Sequence, residues 1–218
     1  DAKTSMWNLE EKILDNSRHK DLHVLGDFCF ISYGLRPNSD EKTARGKFKK
    51  ADLISETCDD KHPRKYIEGK DISKYSINRV RYLEYGTKRS PSQLVRPTFN
   101  EWYESNKIFV NTMGDLQATL GSNEDKFVHD CTIIGIVLWK DLLTIENRSI
   151  AGSIARYSKH TRQEMEAFSE EIDLYYLLSI LNSQYTNYLL SIKRGGDYHI
   201  MPEHIRNLPI PIAPKQEM

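Results

Sequence analysis

Apolar positions recur along this chain at two periods, three to four residues and two residues, and the changes between them divide it into elements. Met6, Leu9, Ile13 and Leu14 share one helical face behind a cap at Thr4 or Ser5, with Glu10 and Glu11 in the early turns, which predicts a first helix ending near Asn16. From Leu22 to Tyr33 the chain is apolar and aromatic. Gly26-Asp27 marks a turn there, Phe28, Phe30 and Ile31 a strand, and Gly34 and Pro37 its stop. Residues 38–47 read as an exposed loop and Phe48 to Ile54 as a short return to the core. Tyr66-Ile67 is a strand, Gly69 a turn, and Ile72 to Tyr75 a second short element. Arg79 to Tyr85 alternates basic with apolar residues, the pattern of a half-buried strand with one cationic face.

Gly86 to Pro91 follows as a basic loop, Phe99 to Ser105 as a helix, Lys107 to Asn111 as a strand, and Gly114 to Asp125 as polar loop. Thr132 to Trp139 is a nearly unbroken β-branched run, the most buried strand. Asp141 to Ile150 reads as a turn and strand edge. A long helix is predicted from Ile172 to Ile192, with Leu174, Leu177, Leu178, Leu181, Tyr185, Tyr188, Leu189 and Ile192 in one stripe, closed by Gly195-Gly196. A helical turn at Met201 to Ile205 and an extended Leu208 to Ile212 end the pattern. The fold class expected is α/β (α+β): a mixed, mainly antiparallel sheet with a long C-terminal helix. Residues 1–21 are expected to be a linker helix and residues 22–218 one domain.

Composition narrows the classes. The chain has 218 residues, 28% charged and 39% hydrophobic, enough to bury a core and ordinary for a globular protein. It has no apolar run near 18 residues and no basic-then-apolar leader, so a cytoplasmic location without membrane contact is expected. Its opening on Asp1-Ala2-Lys3 suggests one piece of a longer protein. Cys29, Cys58 and Cys131 lack a C-x-x-C pair and read as reduced, partly buried thiols. Net charge is zero, but residues 36–96 hold 16 basic against 9 acidic side chains, while residues 97–218 hold 11 against 16. The cations are concentrated in one block, as in chains that bind nucleic acid.

The string Leu25-Gly26-Asp27-Phe28, closed by Gly34-Leu35-Arg36-Pro37, comes first among the ordered motifs. It is followed by Lys65 to Tyr75, Arg96-Pro97-Thr98-Phe99, Lys107-Ile108-Phe109-Val110, Tyr176 to Ser183 and Leu208-Pro209-Ile210-Pro211. In that order they resemble the target recognition domain of TaqI-type adenine DNA methyltransferases, which is related to the specificity subunits of type I restriction systems. The resemblance spans about Leu22 to Pro214. Phe99 to Glu104 departs from the family pattern by added residues before Lys107. The resemblance implies a sequence-reading module of a restriction-modification adenine-N6 DNA methyltransferase, with or without a fused endonuclease in the parent protein. Its partners would be double-stranded DNA and an N-terminal methyltransferase domain of the same chain, which flips the target adenine. S-adenosylmethionine would belong to that catalytic domain.

This chain carries neither the family's Asn/Asp-Pro-Pro-Tyr/Phe catalytic string nor a glycine-rich cofactor loop, nor a P-loop, G-x-S-x-G or H-E-x-x-H, so it is expected to bind rather than catalyse. Cations neutralise phosphates, and Arg, Lys, Asn and Gln read base edges. The DNA-binding candidates are Arg36, Lys47, Lys49, Arg79, Arg81, Lys88, Arg89, Asn111, Gln117 and Asn123, in segments read as loops and edges. One alternative is a metal-dependent nuclease built on Glu68-Gly69-Lys70 with Asp59 or Asp60, although that acidic pair lies too close in sequence. Another is a protein-interaction domain that never touches DNA. His62, His129, His160, His199 and His204 read as structural or surface residues, not metal ligands, and Tyr175, Tyr176, Tyr185 and Tyr188 as a core stripe.

Overall fold

Strand-forming residues collect into two four-stranded sheets in the computed structural model, which describes residues 23–37, 46–96 and 99–211. The predicted first helix and residues 38–45 of the predicted loop lie outside the described residues. A one-turn helix α1 (Leu25–Phe28) runs into β1 (Cys29–Tyr33), followed by β2 (Ile54–Ser55), β3 (Arg64–Ile67), the paired β4 (Ile72–Ser73) and β5 (Ser76–Ile77), and β6 (Arg81–Leu83). Next come α2 (Asn100–Glu104), β7 (Lys107–Asn111), β8 (Ala118–Gly121), β9 (Val128–His129) and β10 (Ile133–Leu138). The chain then turns helical, with α3 (Arg148–Tyr157), α4 (Arg162–Glu170), α5 (Leu174–Leu181), α6 (Gln184–Arg194) and α7 (Pro202–Arg206).

The larger sheet has the order β1-β10-β7-β8 and is antiparallel throughout. The second, β2-β6-β3-β9, is antiparallel except for the parallel β3–β9 pair. The class is α+β with mixed, mainly antiparallel sheets. All six residues of β10 are buried, because both faces of the larger sheet are covered. On one face Ile31, Ile108, Val110, Ile134 and Ile136 pack with Leu177, Leu181, Leu190 and Ile205 of the C-terminal helices. On the other, Phe30, Val137, Trp139 and Trp102 pack with Tyr66 and Leu83 of the second sheet. Gly135 makes this close approach possible, since a Cβ there would sit 2.6 Å from the Trp102 ring and 2.9 Å from His129 Nε2.

Four expectations change. The polar stretch after Gly114 contains β8, an edge strand whose polar neighbours belong to the turn that feeds it: Asn111 Nδ2 donates to the carbonyls of Met113 (2.6 Å) and Asp115 (2.8 Å). Asp141 to Ile150 holds no strand edge; a 3-10 turn over Trp139–Leu142 leads to α3. The C-terminal stripe is not one helix but two. Asn182 and Ser183 break it, Ser183 Oγ accepting the Thr186 N–H at 3.1 Å as the cap of α6. The break resets the buried face to Thr186, Leu189 and Leu190. Consequently Tyr185 and Tyr188, expected in the core, are 50% and 37% exposed, and Tyr175, also expected there, lies before the break on the side of α5 away from Leu177, Leu178 and Leu181 and is 72% exposed. No helix among the described residues is long and apolar enough to cross a membrane.

Candidate functional site

Helix α3 has two chemically distinct sides. Asn147 caps it, its Oδ1 accepting the Ser149 N–H at 2.8 Å. Ile150 and Ile154 turn into the core. Arg148, Ser149, Gly152, Ser153, Arg156 and Tyr157, one and four residues apart, line an open cleft of about 580 Å³. The opposite walls are Phe30 to Tyr33 of β1, an outer strand of the larger sheet, with Arg96 and the α7 residues Glu203 and Arg206.

Four arginines and one glutamate therefore face this space. Arg206 is buried, donates from Nη2 to the Ile31 carbonyl at 2.8 Å, and lies 4.1 Å from the Tyr157 ring centroid. Burial draws its pKa below the usual arginine value, yet it remains a cation. Arg96 is exposed, with φ of +54°, and stacks 5.3 Å from the Tyr33 ring centroid. Among the described residues no acid pairs with Arg96, Arg148 or Arg156. Unneutralised guanidinium groups beside two tyrosine rings can take phosphates by paired hydrogen bonds and planar bases by stacking.

The predicted residues divide into two groups. Arg36 is exposed and its N–H donates to the Val95 carbonyl at 2.7 Å, which sets it beside Arg96 of the cleft. Arg36, Lys50 and Arg96 all favour the Cys131 thiolate, although burial outweighs them and raises that thiol. Lys47, Lys88 and Arg89 line one shallow depression of about 340 Å³, with exposed Lys49 two residues along from Lys47. Lys47, Lys88 and Arg89 thus border one depression, while Arg36 stands beside Arg96 of the cleft.

The second group is taken up by the fold. Arg89, a DNA-binding candidate in the basic loop, is turned inward: Nε and Nη2 grip the Glu84 carboxylate at 2.9 and 2.7 Å, Nη2 also reaches the Asp52 carbonyl, and the guanidinium lies over Phe48. Hydrogen bonding by Arg89, with help from Thr87 and Lys61, overcomes burial and holds the Glu84 carboxyl at about 2. Arg81 is buried between Glu68 and Asp71, so β6 has no cationic outer face. Arg79 pairs with Glu56 at 2.6 Å. Asn111 clamps the turn before β8, and its Oδ1 accepts the Gln117 N–H at 2.8 Å. The exposed Asn123 donates its N–H to Asn106.

Glu68, central to the nuclease alternative, is surrounded by cations. Lys50 lies 2.7 Å from its carboxylate, Lys70 3.0 Å and Arg81 3.1 Å, while Lys50 also reaches Asp130 at 2.8 Å. Burial would raise this carboxyl, but the three donors prevail and hold it at about 2. Asp59 is occupied by His62 and the Lys61 N–H. A divalent ion at Glu68 would have to displace three ammonium or guanidinium groups.

Arg96, Arg148, Arg156, Arg206 and Tyr157 were not among the predicted residues. The signal was present: Asn147 as a cap, and Arg148-x-x-x-Gly152-x-x-x-Arg156 with serines at 149 and 153. No family model matches this chain, and no curated protein matches it.

Proposed function

We propose that the chain binds double-stranded DNA as the sequence-reading module of a restriction-modification adenine methyltransferase, with methyl transfer and S-adenosylmethionine left to a separate catalytic domain. The observation that carries this reading is the arginine cleft, where Arg96, Arg148 and Arg156 are open to solvent and form no ion pair among the described residues, although Glu203 lines the same space. Arg36 beside Arg96, and a separate depression holding Lys47 and Lys88 with Lys49 two residues along from Lys47, add further cations able to meet phosphates. Base reading then falls to the exposed Lys47, Lys49 and Lys88, since Arg81, Arg89 and Asn111 have their hydrogen bonds committed inside the fold. The ion-paired state of Glu68 favours binding over cleavage.

The test is fluorescence anisotropy of a labelled duplex at several salt concentrations. With about four phosphates neutralised, log K should fall against log salt with a slope near −3.6. Arg148→Ala with Arg156→Ala should weaken binding and flatten the slope by about 1.8, the share of two phosphate contacts. Arg79→Ala, whose side chain is spent on Glu56, should change neither. A salt-insensitive isotherm, or an unchanged slope in the double variant, would overturn the reading.

A further inference from the structure

Independently of any DNA binding, two distant segments bring together a set of metal ligands. His23 precedes α1, Asp27 lies within it, and His160 sits in the loop between α3 and α4. Their ligand atoms all fall within 4.8 Å of one another. His23 Nδ1 is 3.6 Å from Asp27 Oδ2, and His160 Nε2 is 3.9 Å from Asp27 Oδ1, both too long for hydrogen bonds.

The second observation is an unmet need. His23 Nδ1 is shielded from solvent and has no hydrogen-bond partner, a state that costs free energy unless something else occupies the lone pair. The Phe168 ring lies 4.6 Å from His23 and 5.1 Å from His160, and Phe28 lies 5.3 Å from His23, so the imidazoles are oriented by an apolar wall. The carboxylate is oriented too, because Asp27 Oδ2 accepts the Val24 N–H at 2.9 Å. Ligands on one tetrahedral ion with bonds of about 2.0–2.2 Å stand roughly 3.4 Å apart, a spacing the three groups reach by small side-chain rotations.

We propose that His23, Asp27 and His160 bind a divalent transition-metal ion of the zinc type. Two imidazole nitrogens and one carboxylate oxygen suit such an ion and not magnesium or calcium, which require mainly oxygen. The ion joins the start of α1 to the loop that follows α3, and so fixes the end of the helix that carries Arg156 and Tyr157.

The experiment is titration of the metal-free chain with zinc against a chromogenic chelator, with cobalt as a spectroscopic probe. One equivalent should bind, and cobalt should give the intense visible bands of a four-coordinate site. His160→Ala, and Asp27→Asn, whose amide oxygen can still accept the Val24 N–H, should each weaken zinc by about tenfold or more and abolish those bands. Zinc should raise the melting temperature of the wild type but not of His160→Ala. If no stoichiometric zinc binds at micromolar concentration, or if both variants bind as the wild type does while retaining its circular dichroism, the site is refuted.

Discussion

His129 and Lys107 are two potential cations enclosed in one core. His129 is fully buried among the rings of Trp102, Tyr103 and Phe109, and neither ring nitrogen has a hydrogen-bond partner. Burial, assisted by the charge of Lys107, lowers its pKa to about 3. Burial likewise lowers Lys107 to about 7, with its ammonium donating to the Tyr103 carbonyl at 2.9 Å. For both groups the unfolded chain binds protons that the folded chain refuses, so stability rises with pH across each window. It should fall by about 1.4 kcal/mol for each unit below about 6.5 through His129, and rise by a similar amount per unit between about 7 and 10.5 through Lys107. Glu68 and Glu84, held at about 2, contribute their own loss only below about 4.5. Urea midpoints at a series of pH values test this: His129→Phe should flatten the acid limb and Lys107→Met the alkaline limb, and a level wild-type curve from pH 6.5 to 5 would refute the first assignment.

The same scale explains which candidate residues could be recognised. Alternation in Arg79 to Tyr85 correctly indicates a strand, but it cannot say that the arginine side meets Glu68 and Asp71 from a neighbouring segment. A basic loop between Gly86 and Pro91 suggests projection, whereas Glu84, five residues before Arg89, turns that arginine inward. Long-range charge pairing is invisible to local pattern, and it decided both cases.

At the scale of elements, Asn182 links the helical layer to the larger sheet. Its Nδ2 donates to the Ala118 carbonyl and its Oδ1 accepts the Ala118 N–H, both at 2.9 Å, satisfying backbone groups of the outer strand β8. Removing the side chain leaves the buried Ala118 N–H unpaired, while the Ala118 carbonyl keeps the Tyr75 N–H at 2.8 Å, so Asn182→Ala should cost about 1–3 kcal/mol. Leu178→Ala and Leu181→Ala empty core sites on α5 and should each cost about 2–5 kcal/mol. Denaturant melts measure all three, and a midpoint for Asn182→Ala equal to the wild type would mean that water replaces the side chain without loss. The strands β1, β3, β7 and β10 were legible because covered strands need apolar, β-branched residues on known faces. The break at Asn182 was not, since the leucine spacing continues across it. Helix α4 is announced by Thr161-x-x-Glu164, whose side chains and backbone bond reciprocally, but few apolar residues follow to reinforce that signal.

At the scale of the whole molecule, a net charge of zero conceals a sorted surface. Lys61 and Arg89 pair with Glu84 beside the second sheet, while Arg96, Arg148 and Arg156 line the cleft without ion pairs among the described residues and Lys47 and Lys88 border a separate depression. The segmental excess in residues 36–96 pointed to part of this surface. It could not point to α3 and α7, because the later segment is acidic on average and only folding brings Arg148, Arg156 and Arg206 to Arg96.

The cleft floor is also the open side of β1, where a sheet is vulnerable to addition of a foreign strand. Arg206 occupies the Ile31 carbonyl, and Arg96, Arg148 and Arg156 ring the approach, so two copies meeting there bring like charges together. Like-charge repulsion would then be the guard against such strand addition. Neutralising Arg96, Arg148 and Arg156 together should make the protein self-associate at concentrations where the wild type scatters light as a single species, and added salt, by screening the guard, should move the wild type in the same direction.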